Sequence, residues 1–156
     1  MPSYPVVELD QTFVRSYEDI ISNSANKLSV DSAEVVIDAR PSGRFDGTAP
    51  EPRPNLPSGH IPNSLSLPFP SFLSTPSTTK PPYATLKTPS ELEKAFVSAL
   101  GPEEWTKVKA GDRSAVATCG SGMSAGLVWL ALQVAGRESP VGIFDEVSLS
   151  RLQRRL

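Results

Sequence analysis

The stretch Ser114-Ala115-Val116-Ala117-Thr118-Cys119-Gly120-Ser121-Gly122-Met123-Ser124-Ala125 leads into Gly126-Leu127-Val128-Trp129-Leu130-Ala131-Leu132-Gln133-Val134-Ala135. Small and β-branched residues precede the loop and an apolar run follows it, which predicts a buried strand, a tight loop and a buried helix. Such a junction turns the N–H groups of the loop and of the first helical turn toward one point, where the helix dipole also favours negative charge. Cys119 is the only cysteine in the chain. At the rim of such a concave nest its thiolate is favoured over its thiol, so a nucleophile is expected. A free cysteine is often no more than a small buried hydrophobe. Against that reading, Gly120, Ser121, Gly122 and Ser124 follow it, and residues this small let a ligand approach the backbone closely. A thiol phosphatase would need a guanidinium six positions after the cysteine, and that position is Ala125.

Toward the N-terminus, Glu34-Val35-Val36-Ile37-Asp38-Ala39-Arg40 predicts a central parallel strand that delivers a charged pair to its C-terminal end. Asp38 and Arg40 are expected to pair with each other or with loop backbone. Residues 41–89 hold twelve of the sixteen prolines, a density that would suggest a disordered linker were it not for the residues between them. Gly43-Arg44-Phe45-Asp46-Gly47 and Glu51-Pro52-Arg53-Pro54 place two arginines on stiff, turn-rich backbone, and Gly59-His60-Ile61-Pro62 follows. A guanidinium fork matches a carboxylate through two parallel hydrogen bonds, which lysine cannot do. Arg44 and Arg53 are therefore candidates for an anionic ligand; the competing reading pairs them with Asp46 and Glu51 on a solvated loop. His60 is the lone histidine, and its setting suggests a ring that bonds backbone and holds a turn.

The remaining elements follow from caps and periodicity. Asp10 can cap a helix over Gln11 to Ser22 with Phe13, Tyr17, Ile20 and Ile21 on its inner face. Ser64 to Phe69 reads as a strand and Pro70 to Pro82 as an exposed loop. Thr88-Pro89-Ser90-Glu91 is a capping box opening a helix to Leu100, closed by Gly101. A shorter helical turn spans Glu103 to Val108 around Trp105, and Val141 to Asp145 is the last strand. Alternating strands and helices imply an α/β fold, an open, mainly parallel sheet with helices on both faces.

At 156 residues the chain is one domain by length, read here as 1–145 with the loop at 119–125, followed by a basic tail at 146–156. Leu149, Leu152 and Leu156 give that tail the spacing of a short amphipathic helix. Fifteen basic and seventeen acidic residues leave a net charge of −2, so no nucleic-acid or anionic-membrane partner is implied. One His and one Cys cannot make an ordinary four-ligand zinc site, and neither a metal nor a cofactor is expected. The chain has no apolar run of the roughly 18 residues needed for a membrane span. Its first residues lack a secretory pattern, and a reducing compartment, cytoplasmic or mitochondrial, is expected.

Cys119-Gly120-Ser121-Gly122-Met123-Ser124-Ala125 resembles the active-site loop of the 3-mercaptopyruvate sulfurtransferases, within the rhodanese superfamily. In that family Cys-Gly-Ser-Gly is usually followed by a β-branched residue and Thr; here Met123 and Ser124 stand there. Rhodaneses that prefer thiosulfate tend instead to carry Arg and Lys just after the cysteine. Asp38-Ala39-Arg40, Gly43-Arg44-Phe45, Glu51-Pro52-Arg53 and Gly59-His60-Ile61-Pro62 also resemble the family's pattern, with Asn63 where glycine is usual. After the last strand the family continues with an Asp-Gly-Ser-Trp segment, which this chain lacks beyond Asp145.

The resemblance covers about Tyr4 to Asp145 and matches the catalytic C-terminal half of a two-domain enzyme. It implies a rhodanese-like fold and sulfur transfer from 3-mercaptopyruvate, or thiosulfate, through a Cys119 persulfide to a thiol, cyanide or a sulfur-carrier protein. It also implies that Arg44 and Arg53 hold the donor and that Ser121 relays a proton or bonds the leaving carbonyl. A second rhodanese-like domain is a further implied partner. The alternative is an incomplete or inactive rhodanese-like module that binds or regulates without turnover.

Overall fold

The computed structural model describes residues 11–26, 32–52, 58–75 and 77–145. Asp10, Arg53 and the expected tail helix lie outside them. Four strands, β1 (Val35–Asp38), β2 (Leu65–Ser66), β3 (Ala115–Thr118) and β4 (Gly142–Phe144), form one sheet in the order β2-β1-β3-β4. All three pairings are parallel. Between the central strands the register sets Val35 beside Ala115 and Asp38 beside Thr118. Every residue of β1 and β3 is buried, as continuous apolar strands covered on two faces require.

Alternation along the strands divides the core into two layers. Val35, Ile37, Ala115 and Ala117 point into the larger one, which is covered by α3 (Pro89–Leu100), α4 (Pro102–Ala110) and α5 (Met123–Val134). Val36 and Val116 point the other way, against Ile20 of α1 (Tyr17–Ser24), Ile61 and Phe144. The sheet is thus open and α/β, with helices on both faces. Within the larger layer Phe72, Phe96 and Trp105 stack in series, with ring centroids 5.3 Å and 4.9 Å apart. The Trp105 indole N–H is satisfied by Glu93 Oε1 at 3.0 Å.

The N-terminal helix is shorter than its apolar spacing predicts. Only Gln11–Phe13 forms a 3-10 turn before Val14 leaves to bridge Ile143 beside β4. The helix then starts at Tyr17, because Ser16 and Asp19 make a reciprocal capping box. The strand expected over Ser64 to Phe69 closes after Ser66, since Pro68 lacks an N–H for the ladder and Phe69–Phe72 turns as a 3-10 helix. The helix around Trp105 is longer than expected, opened by Pro102 at its first position after Gly101 (φ 83°) has ended α3. The helix α5 buries Ala125, Val128, Ala131 and Leu132, whereas Met123, Leu130 and Val134 lie exposed on its outer side.

Asn63 adopts φ 63°, the left-handed conformation that glycine supplies without strain. Its side-chain amide donates to the carbonyls of Ser24 and Asn26, both at 2.9 Å, and so ties the end of α1 to the chain entering β2. Among the described residues α1 packs the second face, whereas the aromatic stack anchors the first. Replacing Phe96 by Ala, which empties the middle of that stack, is expected to lower unfolding free energy by about 3–5 kcal/mol. Urea denaturation followed by tryptophan fluorescence should show the midpoint fall with little change in slope.

Candidate active site

Strand pairing brings two chain ends together. Asp38 and Thr118 are partners at the C-terminal edge of the sheet, so the residues after each emerge side by side, and Ala39 N–H donates to Thr118 O at 2.9 Å. Cys119 follows at once, with only 8% of its surface exposed. The turn behind it is built on two glycines. Gly122 sits at φ 79°, and a Cβ there would lie 2.8 Å from Asp145 Cβ. At Gly120 a Cβ would lie 2.8 Å from Arg44 Nη2, so the guanidinium rests against bare backbone.

The Cys119 sulfur accepts the Ser121 N–H at 3.4 Å. Burial pushes the thiol pKa up, but the Ser121 N–H, the Ser124 hydroxyl and the N–H groups of Ala125 and Ser124 outweigh it. The net result is a pKa below that of an ordinary cysteine. These donors come from the loop and the first turn of α5, whose dipole acts in the same direction.

Opposite the sulfur stands a chain of alternating charges. Arg40 donates to Asp38 through Nε (3.0 and 2.9 Å) and Nη2 (2.6 Å), to Gly59 O at 2.7 Å and to Glu51 Oε1 at 2.8 Å. The other Glu51 oxygen accepts from Arg44 Nε at 3.0 Å and from Arg44 Nη2. Glu51 therefore links a fully buried arginine to one that is 21% exposed. Arg44 itself lies on α2 (Ser42–Phe45), a single turn. The next residues are held by His60, whose ring stacks on Phe45 at 3.9 Å and whose Nδ1–H donates to Phe45 O at 2.9 Å.

Together these residues enclose a cavity of about 250 Å³ lined by Arg44, Glu51, Pro52, Cys119, Gly120, Ser121 and Ser124. That is below the roughly 300–1,000 Å³ of pockets for drug-sized ligands, and suits a small molecule. It holds a depressed-pKa thiol, hydroxyls and a guanidinium, a set suited to covalent attack on a small anion. Of the residues expected from the sequence, Cys119, Gly120, Ser121, Ser124 and Arg44 meet here. Gly122 shapes the turn from behind, Ala125 contributes its N–H, Met123 is 87% exposed and does not line the cavity, and Arg53 lies outside the described residues. Arg44 lines the cavity and also pairs with Glu51, in a largely buried rather than a solvated setting. Asp38 and Arg40 pair, as expected. Glu51, which the sequence offered only as an ion-pair partner on a solvated loop, also lines the cavity, and so does Pro52; an acid standing within eleven positions of both Arg40 and Arg44 was the available signal. Among the described residues no group of three His, Cys, Asp or Glu side chains could hold a metal, and no helix is long and apolar enough to cross a membrane.

Residues 22–147 match the rhodanese-like domain family. The mouse 3-mercaptopyruvate sulfurtransferase (Mus musculus) is 37% identical over 141 residues, 88% of this chain and 39% of its own length. Thiosulfate sulfurtransferase TUM1 of Saccharomyces cerevisiae is 41% identical over 102 residues, 64% of this chain and 30% of its own. Among solved structures, the sub-stoichiometric sulfur transferase subunit of yeast mitochondrial complex I superimposes with a TM-score of 0.71 at 33% identity, over 93% of this chain and 44% of that one. The chain thus spans less than half the length of these relatives. With most of its length matched, a parallel sheet of the same architecture and a cysteine loop at the sheet's C-terminal edge, the chain belongs to the rhodanese-like domain family.

Proposed function

We propose that this domain transfers sulfane sulfur, taking it from 3-mercaptopyruvate, or less readily thiosulfate, onto Cys119 and passing it to an acceptor. The observation that carries this reading is the thiol of lowered pKa in a small cavity facing a guanidinium. Two further observations support the general chemistry: relatives named for both donors, and an uncharged Gly120-Ser121 pair after the cysteine.

The first half-reaction follows from the arrangement. Arg44 presents its guanidinium to the carboxylate end of the donor, fixing direction as well as charge. The Cys119 thiolate attacks the donor sulfur, an S–S bond forms, and the C–S bond breaks with its electron pair going to carbon. The departing enolate takes up a proton and leaves as pyruvate. Ser121 lines the cavity where that proton moves and where the developing oxyanion needs a donor. The persulfide stays in the same nest of N–H groups until an acceptor thiol, cyanide or a carrier protein attacks its outer sulfur. Arg53 would share the donor with Arg44, and a second rhodanese-like domain would cover the cleft.

Brief exposure to 3-mercaptopyruvate followed by intact mass spectrometry should add one sulfur to the protein and none to Cys119→Ser. Arg44→Ala should require about 10- to 100-fold more donor for the same loading, the loss expected when a charge-assisted fork is removed. Absence of any added sulfur in folded protein would overturn the enzymatic reading and leave a binding module.

The thiolate is independently testable. Because alkylation follows the thiolate fraction, the iodoacetamide rate should rise with pH through an inflection below that of an ordinary free cysteine. Ser124→Ala removes one of the hydrogen bonds that lower the pKa. Its inflection should therefore move toward higher pH, with reactivity at neutral pH reduced accordingly.

A further inference from the structure

We propose that Glu51 sets which donor charge the cleft accepts, by cancelling the charge of Arg44 beside Cys119. This inference rests on the cleft being an anion site, as read above, and adds a specificity-determining residue to it. Glu51 lines the cavity, its side chain is 5% exposed, and its two oxygens are divided between two guanidinia. The division matters because Arg40 is already matched: Asp38 takes three of its hydrogen bonds and Gly59 O a fourth. The charge Glu51 brings to the cleft is thus set against Arg44, while Arg40 fixes the rotation of the carboxylate from behind. Arg44 is left facing Gly120 with its position determined and its field largely cancelled.

A cleft so balanced discriminates by charge. The coulombic energy of an anion scales with its charge, so any change in local potential acts twice as strongly on a dianion as on a monoanion. With the Glu51 carboxylate set against Arg44, the thiolate and that carboxylate repel a dianion twice as strongly as a monoanion, and a monoanionic carboxylate is favoured. Neutralising Glu51 leaves Arg44 uncompensated and shifts preference toward the dianion. Comparing the protein with variants that differ only at position 51 isolates the effect of Glu51.

The test uses protection of Cys119 from iodoacetamide by pyruvate, a monoanion, and by sulfate, a dianion, which needs no turnover. Glu51→Gln should keep the fold, since Arg40 retains Asp38 and Gly59 and Arg44 can reach solvent; circular dichroism and the thermal midpoint check this. Glu51→Ala, with room for water around both guanidinia, is a second neutral variant with the same expectation. If the potential change strengthens pyruvate protection about threefold, sulfate protection strengthens about ninefold, and their ratio moves about threefold. Glu51→Asp keeps the charge but is one methylene short of spanning both arginines. There, protection by both anions should weaken while the ratio stays at its original value.

A ratio unmoved in the folded neutral variants, or moved equally in Glu51→Asp, overturns the proposal. A moved ratio in a protein that takes sulfur from neither donor would uphold it and overturn sulfur transfer. An unmoved ratio in one that loads sulfur would do the reverse.

Discussion

The pairing of β1 with β3 is the constraint from which the site follows. Four residues of each strand lie fully buried in parallel register, and a one-residue slip would turn Val35 and Ile37 from the larger core layer to the smaller. Because the register is held this firmly, Asp38 and Thr118 end level with each other. The chain on one side continues into Arg40 and Arg44, and on the other into Cys119. Chemistry contributed by residues some eighty positions apart in sequence is thereby aligned by backbone hydrogen bonds alone. Leu67 N–H on Asp38 O and Phe69 N–H on Ala39 O, at 2.9 and 3.0 Å, brace the same edge from β2.

The charges behind that edge form a graded series. Asp38 and Arg40 are almost entirely withdrawn from water, Glu51 nearly so, and Arg44 only in part. Buried ions are costly unless each is paired and hydrogen-bonded, and here each carboxylate oxygen has an N–H partner. The gain lies less in stability than in geometry: a proline-rich segment with little regular structure is given a fixed path over the sheet. His60 on Phe45 and Ser58 Oγ on Ala49 O, at 2.7 Å, serve the same end with neutral groups.

Much of this was legible in the chain. Val35 to Ile37 and Ala115 to Ala117 read as central strands because nothing polar interrupts them, and Thr88-Pro89-Ser90-Glu91 and Gly101 delimit α3 by local chemistry. The tight turn after Cys119 was legible for the same reason, since Gly120, Ser121 and Gly122 are small, but α5 opens at Met123 rather than at Gly126. The N-terminal helix was misread because Phe13, Tyr17, Ile20 and Ile21 keep helical spacing even though Val14 is drawn into a bridge with Ile143. Only a long-range contact decides that, and nothing local reports it. Glu51 was legible as a partner for Arg44 but not as a cavity residue, for a similar reason. Its importance lies in being shared between Arg40 and Arg44, which depends on how the turn-rich segment folds back.

The contact of Arg44 with Gly120 couples two positions far apart in sequence. A Cβ at position 120 would lie 2.8 Å from Arg44 Nη2, the far end of a flexible side chain, so a larger residue there would displace the guanidinium and leave the turn intact. The size of residue 120 therefore sets where the arginine of α2 stands relative to the sulfur.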